Sequence, residues 1–487
     1  MKKLLLLCTA VICSVSAMAQ DFSIVATATK AAEADGKAKF TVKFSFGADV
    51  KKFAYTSYSG KLSAATIKSE ADKKVSAKTQ TDLGTSTSKS YTFSSESSKV
   101  STVVVVGFDS EGNYTGEYTS VVLKYAKEAD WKDCGVVQYT DGFMANYSST
   151  VDGMVSLVKV QSIEAIPGYY RLDTPYGSSS PYSKYKNFTF AGSTSYMYVD
   201  ATDANKVFIE NYHTTGMTAT STSGEKTGPM YFSSKAGYNI SKGNAVDEST
   251  YGTFDAIKGT ITFPVNSLYY CWSTSGSISW SASNKNGAFK IAFPLTANMT
   301  IKEGINWGTF FAPYDVTLPT GVVAYSATVN EDKVVYKSAS ENGIIPANTP
   351  VVVYNASAVN ENIDGYASDV VPDLANSLVG VLVDTEIAVA SADEYDCYFL
   401  QNQNGVVAWY KGKVGETYTV KANRAYLKIA KNAGAPNAFY FDDDATDINA
   451  VENVQAGSAK VYNLNGQAVG SDYKGIVIKN GKKFFNK

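Results

Sequence analysis

The 487-residue chain sets 44 Lys and Arg against 46 Asp and Glu and has a single His, for a net charge of −2. Such an even balance gives no electrostatic footprint for nucleic acid or an anionic membrane, and the length exceeds what one hydrophobic core fills. With 34 Tyr, 23 Phe and 37 Gly, beside abundant Ser, Thr and Val, the composition favours strands and turns over helices, so an all-β, multidomain chain is expected.

The N-terminus reads "MKK", then the apolar run "LLLLCTAVICSV", then "SAMAQ". Ala17-Met18-Ala19 satisfies the small-x-small rule of a secretory cleavage site, so residues 1–19 are expected to be a signal peptide and the mature chain to begin at Gln20. The run falls short of the roughly 20 apolar residues of a membrane-spanning helix, and no later stretch approaches that length without charges, so no transmembrane segment is expected. Cys8 and Cys13 fall inside this leader, leaving Cys134, Cys271 and Cys397. An odd, widely spaced set does not make a disulfide framework. Three buried apolar cysteines are expected, although one pair could form in an oxidising compartment.

Residues 20–126 alternate in short runs, among them "KAKFTVKFSFG" and "STVVVVGFD", at about seven strands in the segment. That density suits an immunoglobulin-like or fibronectin III-like sandwich. "DSEGNYTGEY" (109–118) signals a hairpin with Gly112 and Asn113 suited to positive φ, and the polar stretch 69–90 a helical turn plus loop. "KEADWKDCG" (127–135) breaks the rhythm and opens an aromatic-rich β domain over 127–296; a further β domain spans 297–440, and 441–457 is an acidic linker. Residues 458–487 close the chain as a small β module. The architecture expected is tandem β-sandwich domains followed by that module.

A catalytic reading finds little support. One His, His213 in "ENYHTTG", cannot build a His-rich metal site; it is expected to be exposed or satisfied, and no G-x-S-x-G elbow accompanies it. "STSK" (86–89) and "KTG" (226–228) imitate a penicillin-binding site but arise readily in a Ser- and Lys-rich β chain. Asp200 and Asp203 in "DATDAN" are better explained as turn residues bonding nearby backbone N–H groups, and "FDDDATD" (441–447) is at most a weak calcium candidate. No Gly-rich loop precedes a helix. No catalytic residue, metal or cofactor is therefore expected.

The aromatic side chains are the best functional hint, since Tyr and Trp on a rigid β scaffold stack on sugar rings or anchor a protein partner. Tyr176, Tyr270, Trp272 and Trp280 are the candidate ligand contacts, with "YYCWSTSGSISW" (269–280) expected to expose at least one tryptophan on a loop.

Three stretches carry resemblances. "WGTFFAPYDVTLPTGVVAYSATV", "GIIPANTPVVVY" and "KANRAYLKI" in the third block resemble a β domain of secreted Bacteroidota proteins, and "GYYRLDTPYG" with "YVDATDANKVFIE" resembles another module of the same bacteria. Neither resemblance implies an activity. The tail "YNLNGQAVGSDYKGIVIKNGKKFFNK" resembles the C-terminal sorting domain of the type IX secretion system, through Leu464, Gly466, Gln467 and Val469, then Gly475-Ile476-Val477-Ile478, and a basic last strand ending at Lys487. Three short strands, turned at Asn465-Gly466 and Asn480-Gly481, would leave edges for a translocon to pair with. The resemblance implies export to the outer-membrane surface or the medium. The function expected is non-catalytic binding of an extracellular glycan, matrix protein or envelope component. A glycan hydrolase with an unrecognised carboxylate pair, or a surface-layer or filament subunit, are the alternatives.

Overall fold

The computed structural model describes residues 24–441 apart from 77–79, 142–153, 179, 181, 183–186, 191, 193, 212, 222, 243, 273–279, 284–287, 331–332 and 432–434, together with strands over 461–463, 468–469, 475–479 and 482–486. The fold is all-β: antiparallel sheets throughout, with two helices among the described residues. The chain divides into two compact units, one ending at Pro294 and the other beginning at Leu295. The expected break at 296/297 falls close to this division. The first two expected domains, by contrast, belong to a single unit.

The first unit begins with seven strands, β1 (Ile24–Ala34), β2 (Lys37–Phe46), β3 (Lys52–Ser59), β4 (Thr81–Asp82), β5 (Ser88–Glu96), β6 (Lys99–Phe108) and β7 (Tyr114–Tyr125). They form one sheet in the order β1-β2-β5 and another in the order β4-β3-β6-β7, the two-sheet sandwich that the strand spacing suggests. β2 shows why: in Lys-Ala-Lys-Phe-Thr-Val-Lys-Phe-Ser-Phe, Ala38, Phe40, Val42, Phe44 and Phe46 all turn inward and are buried. β6 departs from alternation, because Val103 through Val106 are all fully buried. Val103 and Val105 face the sandwich core, whereas Val104 and Val106 pack beneath helix α1 (Ala64–Ser76) with Ala71 and Ile67. α1 extends the expected helical turn to 13 residues and starts earlier, where Ser63 Oγ accepts from the Thr66 backbone N–H as an N-cap. At the β6/β7 turn Gly112 has φ +91°, as expected, but Asn113 does not take positive φ; Asp109 Oδ1 accepts its N–H instead.

The rest of the first unit is a second sandwich. Its large sheet runs, in spatial order, Phe208–Ile209, Tyr196–Asp200, Tyr169–Asp173, Met154–Ser162, Lys132–Asp141, Lys290–Ala292, Thr260–Thr262 and Thr253–Asp255. The facing sheet runs Phe188–Phe190, His213–Thr220, Thr227–Ser234, Leu268–Trp272 and Trp280–Ser283. Between them lies a core that draws on both, with Val160, Val199 and Ile291 from one and Met217, Met230 and Phe232 from the other. Helix α2 (Lys235–Lys242) follows directly on the strand ending at Ser234. In its first turn, Gly237 lies so close to the Ile209 carbonyl that a Cβ would sit 2.0 Å from the oxygen.

The second unit has two principal sheets. One orders Trp307–Phe310, Val351–Tyr354, Val323–Asn330 and Lys333–Ser338, and the other Leu378–Val381, Arg424–Ala430, Tyr395–Gln403, Val406–Lys411 and Ala438–Tyr440. A core between them is centred on Trp409, Tyr398, Tyr336 and Leu427. In the tail the described strands number four rather than the expected three, in the order 468–469, 461–463, 475–479, 482–486, with Lys479 opposite Lys482. Of the residues expected to form an export signal, Gly475 opens the strand Gly475–Lys479. Leu464, Gly466, Gln467 and Lys487, the expected leader and the expected acidic linker beyond Phe441 lie outside the described residues.

Candidate functional site

The aromatic candidates whose side chains are described pack into the core of the second sandwich. Tyr176 is a correction: it is 1 % exposed, in the core, with its hydroxyl 2.7 Å from that of Tyr139. Tyr270 and Trp272 are half-buried and pack against the same core, and the Trp272 indole N–H donates to the Ala219 carbonyl at 3.0 Å. Trp280 enters the last strand of that sheet opposite Cys271, and its side chain lies outside the described residues. Of the three described cysteines, Cys271 is buried, Cys134 exposed and Cys397 intermediate, and all three are free thiols. Burial expected from residue type therefore fails at Cys134, which sits in an irregular pairing between Asp133 and Val136.

The first unit instead has a cleft of about 440 Å³ where its two sandwiches meet. Its aromatic walls are Trp131, Tyr169, Tyr198 and Phe208, and its polar groups are Lys124, Glu210, Asn211 and His213. Two ionic devices beside the cleft fix it. Lys124, from β7, pairs with Asp200 and lies 3.8 Å from Glu210 Oε1, with its ammonium 4.3 Å from the centre of the Tyr169 ring. Tyr169 donates its hydroxyl to Glu210 at 2.8 Å. Burial alone would raise the Asp200 carboxyl, but the Lys124 ammonium and the Thr202 hydrogen bonds outweigh it and hold the pKa below the ordinary carboxylate value. Asp200 Oδ1 accepts from the Thr202 N–H and hydroxyl, and Asp203 Oδ1 from the Asn205 N–H, so both form the turn bonds expected of "DATDAN".

The second device is Arg171, 1 % exposed, whose guanidinium is 3.8 Å from the Tyr196 ring centre and 4.6 Å from that of Trp131. It donates through both terminal nitrogens to Glu128, at 2.7 and 2.5 Å, and through Nε to Gln161 at 2.6 Å. Glu128 lies in the single-turn helix Glu128–Asp130 between the two sandwiches. Arg171 thus clamps the connection and holds Trp131 in place.

His213 and Asn211 distinguish the cleft. His213 Nε2 and Asn211 Oδ1 are both shielded from solvent and have no hydrogen-bond partner among the described residues, while Asn211 Nδ2 is held by Ser241 Oγ at 2.6 Å. Burial pushes the His213 pKa down to about 4, so its imidazole is neutral at neutral pH. The lone His is therefore neither exposed nor satisfied, contrary to expectation. Orphaned polar atoms of this kind are uncommon and mark places where a ligand group or water supplies the missing bond.

Sequence reasoning passed over most of these residues. Trp131 lay in the segment that breaks the strand rhythm, and Glu210, Asn211 and His213 share one short stretch, "ENYH", at a strand junction. Four polar or aromatic residues together at such a break were the available signal. Chemically, the arrangement supplies hydrogen-bond acceptors, a neutral imidazole and aromatic faces. Asp200 and Glu210 approach the same ammonium, but Asp200 is held ionised with its oxygens already engaged. Among the described residues, no group of three or more His, Cys, Asp and Glu side chains is placed to hold a metal ion. No helix there is long and apolar enough to cross a membrane.

Comparison of the chain with known protein families, curated proteins and solved structures finds no match.

Proposed function

We propose that this chain is an exported, non-catalytic surface protein that binds a saccharide in the cleft of its first unit. The observation that carries the reading is the pair of unpartnered polar atoms, His213 Nε2 and Asn211 Oδ1, beside aromatic walls. An amide oxygen only accepts, whereas a neutral imidazole donates at one nitrogen and accepts at the other. Sugar hydroxyls do both, so one polyol satisfies the two groups together. The half-buried Tyr198 and Phe208 rings offer apolar surface for the C–H side of a pyranose, and the volume falls within the roughly 300–1,000 Å³ of small-ligand sites. Export rests on the N-terminal leader and on the sorting-like tail.

Applied to an array of neutral and acidic oligosaccharides, the mature chain should be retained without releasing product. Asn211→Ala and His213→Ala should each weaken retention by about tenfold, the loss of one or two hydrogen bonds buried with the ligand. Retention untouched by both substitutions would remove the cleft from the reading. Product release would favour the second reading, a hydrolase, with Glu210 as the carboxylate that lines the cleft. Ordered self-assembly with no retention would favour a filament subunit. For export, a chain ending before residue 460 should accumulate inside the cell envelope; normal surface levels of that truncation would remove the sorting role.

A further inference from the structure

The second unit has a cleft of its own, about 520 Å³, distinct in chemistry from the first. Its lining includes Lys302, Lys421 and Arg424, and no carboxylate lines it among the described residues. In a chain of net charge −2 that is a local excess of positive charge. The three cations are not equivalent. Lys421 is paired, its ammonium 2.7 Å from Asp384, so it contributes little net field. Lys302 is exposed and forms no ion pair among the described residues. Arg424 is half-buried and spends one terminal nitrogen on the Thr309 carbonyl at 3.0 Å, the one side-chain hydrogen bond it makes among the described residues.

A guanidinium taken partly out of water without a carboxylate partner is costly, and folded proteins pair such groups. Desolvation indeed lowers the Arg424 pKa. The strand Arg424–Ala430 cannot release it, because the neighbouring Ala425 N–H is tied to Thr309 Oγ1 at 3.1 Å. Arg424 is therefore fixed with its remaining N–H groups unspent beside the cleft. Around it lie Gln401 and Asn402, amides that bond hydroxyls, and the Trp307 ring.

We infer that this cleft is a binding site for the oxyanion of an acidic saccharide, in which Arg424 holds a carboxylate or sulfate through a forked pair of hydrogen bonds and Lys302 adds long-range attraction. The inference is independent of the first cleft, which has Glu210 and a neutral imidazole where this one has cations. Sugar-borne and free oxyanions share the chemistry, and the amides and the indole favour the former.

The test is calorimetric titration of the mature full-length chain with galacturonate trimer, its methyl ester and inorganic sulfate. The trimer should bind about tenfold tighter than its uncharged ester at low salt, the advantage shrinking as ionic strength rises. Arg424→Gln should remove the difference between trimer and ester, and Arg424→Lys should restore it in part, because a lysine keeps the charge but loses the fork. Lys302 is exposed, so Lys302→Gln guards against misfolding of the Arg424 variants; it should weaken the trimer by about two- to threefold, roughly the value of one exposed charge. Equal affinity for trimer and ester, or affinities unchanged in both Arg424→Gln and Lys302→Gln, would overturn the site. Sulfate binding with no trimer binding would overturn its assignment to saccharides, and so would failure of all three probes to bind.

Discussion

Lys124→Met should destabilise the first unit by about 3–5 kcal/mol, the cost of stranding a buried carboxylate whose paired ammonium has been removed. Methionine keeps most of the aliphatic volume, so the loss isolates the charge rather than the packing. Asp200 is 6 % exposed and Lys124 is its one ion-pair partner among the described residues, with Thr202 supplying further hydrogen bonds. Adding Asp200→Asn should recover much of the loss, because the amide needs no counter-charge. The pH dependence gives a second readout with a definite sign. In the wild type Asp200 has a folded pKa below its unfolded value. Its contribution is therefore present above the ordinary carboxylate pKa of about 3.9 and is lost as pH falls through the folded value. In Lys124→Met burial alone remains, the folded pKa rises, and the variant regains stability as acid protonates the stranded group. Urea denaturation near neutral pH and near pH 4 should thus show a gap between variant and wild type that narrows in acid. His213 acts on both proteins alike: its pKa of about 4 lies below the unfolded 6.5, so stability falls as pH drops through that window. A gap below about 1 kcal/mol at neutral pH would mean that the pair contributes no more than an exposed one.

What could be read from the sequence and what could not divide along the range of the interactions. The strands of β2 were legible because alternation is a local property of Lys37–Phe46, and the turn bonds of Asp200 and Asp203 because each reaches only two residues on. The pairing of Lys124 with Asp200 joins positions 76 apart in sequence, and nothing local to either announces it. Arg171 and Glu128 are similarly remote, so the clamp that orders Trp131 was invisible. Aromatic residues posed a different difficulty. In a β-sandwich the same Tyr fills a core or lines a cleft, and only the register decides. Tyr176 and Tyr169 both lie in the "GYYRLDTPYG" segment, yet one bonds Tyr139 in the core and the other bonds Glu210 beside the cleft. Helix α1 went largely unread because its buried side is short, resting on Ala71 and Ile67 above β6. The continuous apolar run of β6, buried on both faces, was the signal that something covered the outer face of that sheet.

In the second unit Trp409 should prove the most sensitive core position. It is fully buried, between the sheet containing Tyr336 and the sheet containing Tyr398, and its indole N–H donates to the Tyr336 hydroxyl at 2.9 Å. Burial has already pushed the Tyr336 pKa far above that of a free phenol, so the hydroxyl stays neutral and depends on this contact. Trp409→Ala removes the indole, opens a cavity and leaves that hydroxyl without its partner, for an expected loss of about 3–5 kcal/mol. Trp409→Phe retains most of the apolar contact and loses the hydrogen bond, so it should cost roughly 1–3 kcal/mol. Tyr336→Phe in the Trp409→Phe background should then add almost nothing, because both polar partners are gone together. The decisive measurement is the double-mutant cycle by chemical denaturation. A coupling near zero would show that the hydrogen bond contributes nothing beyond packing, whereas a coupling of about 1 kcal/mol would identify it as the contact that fixes the two sheets in register.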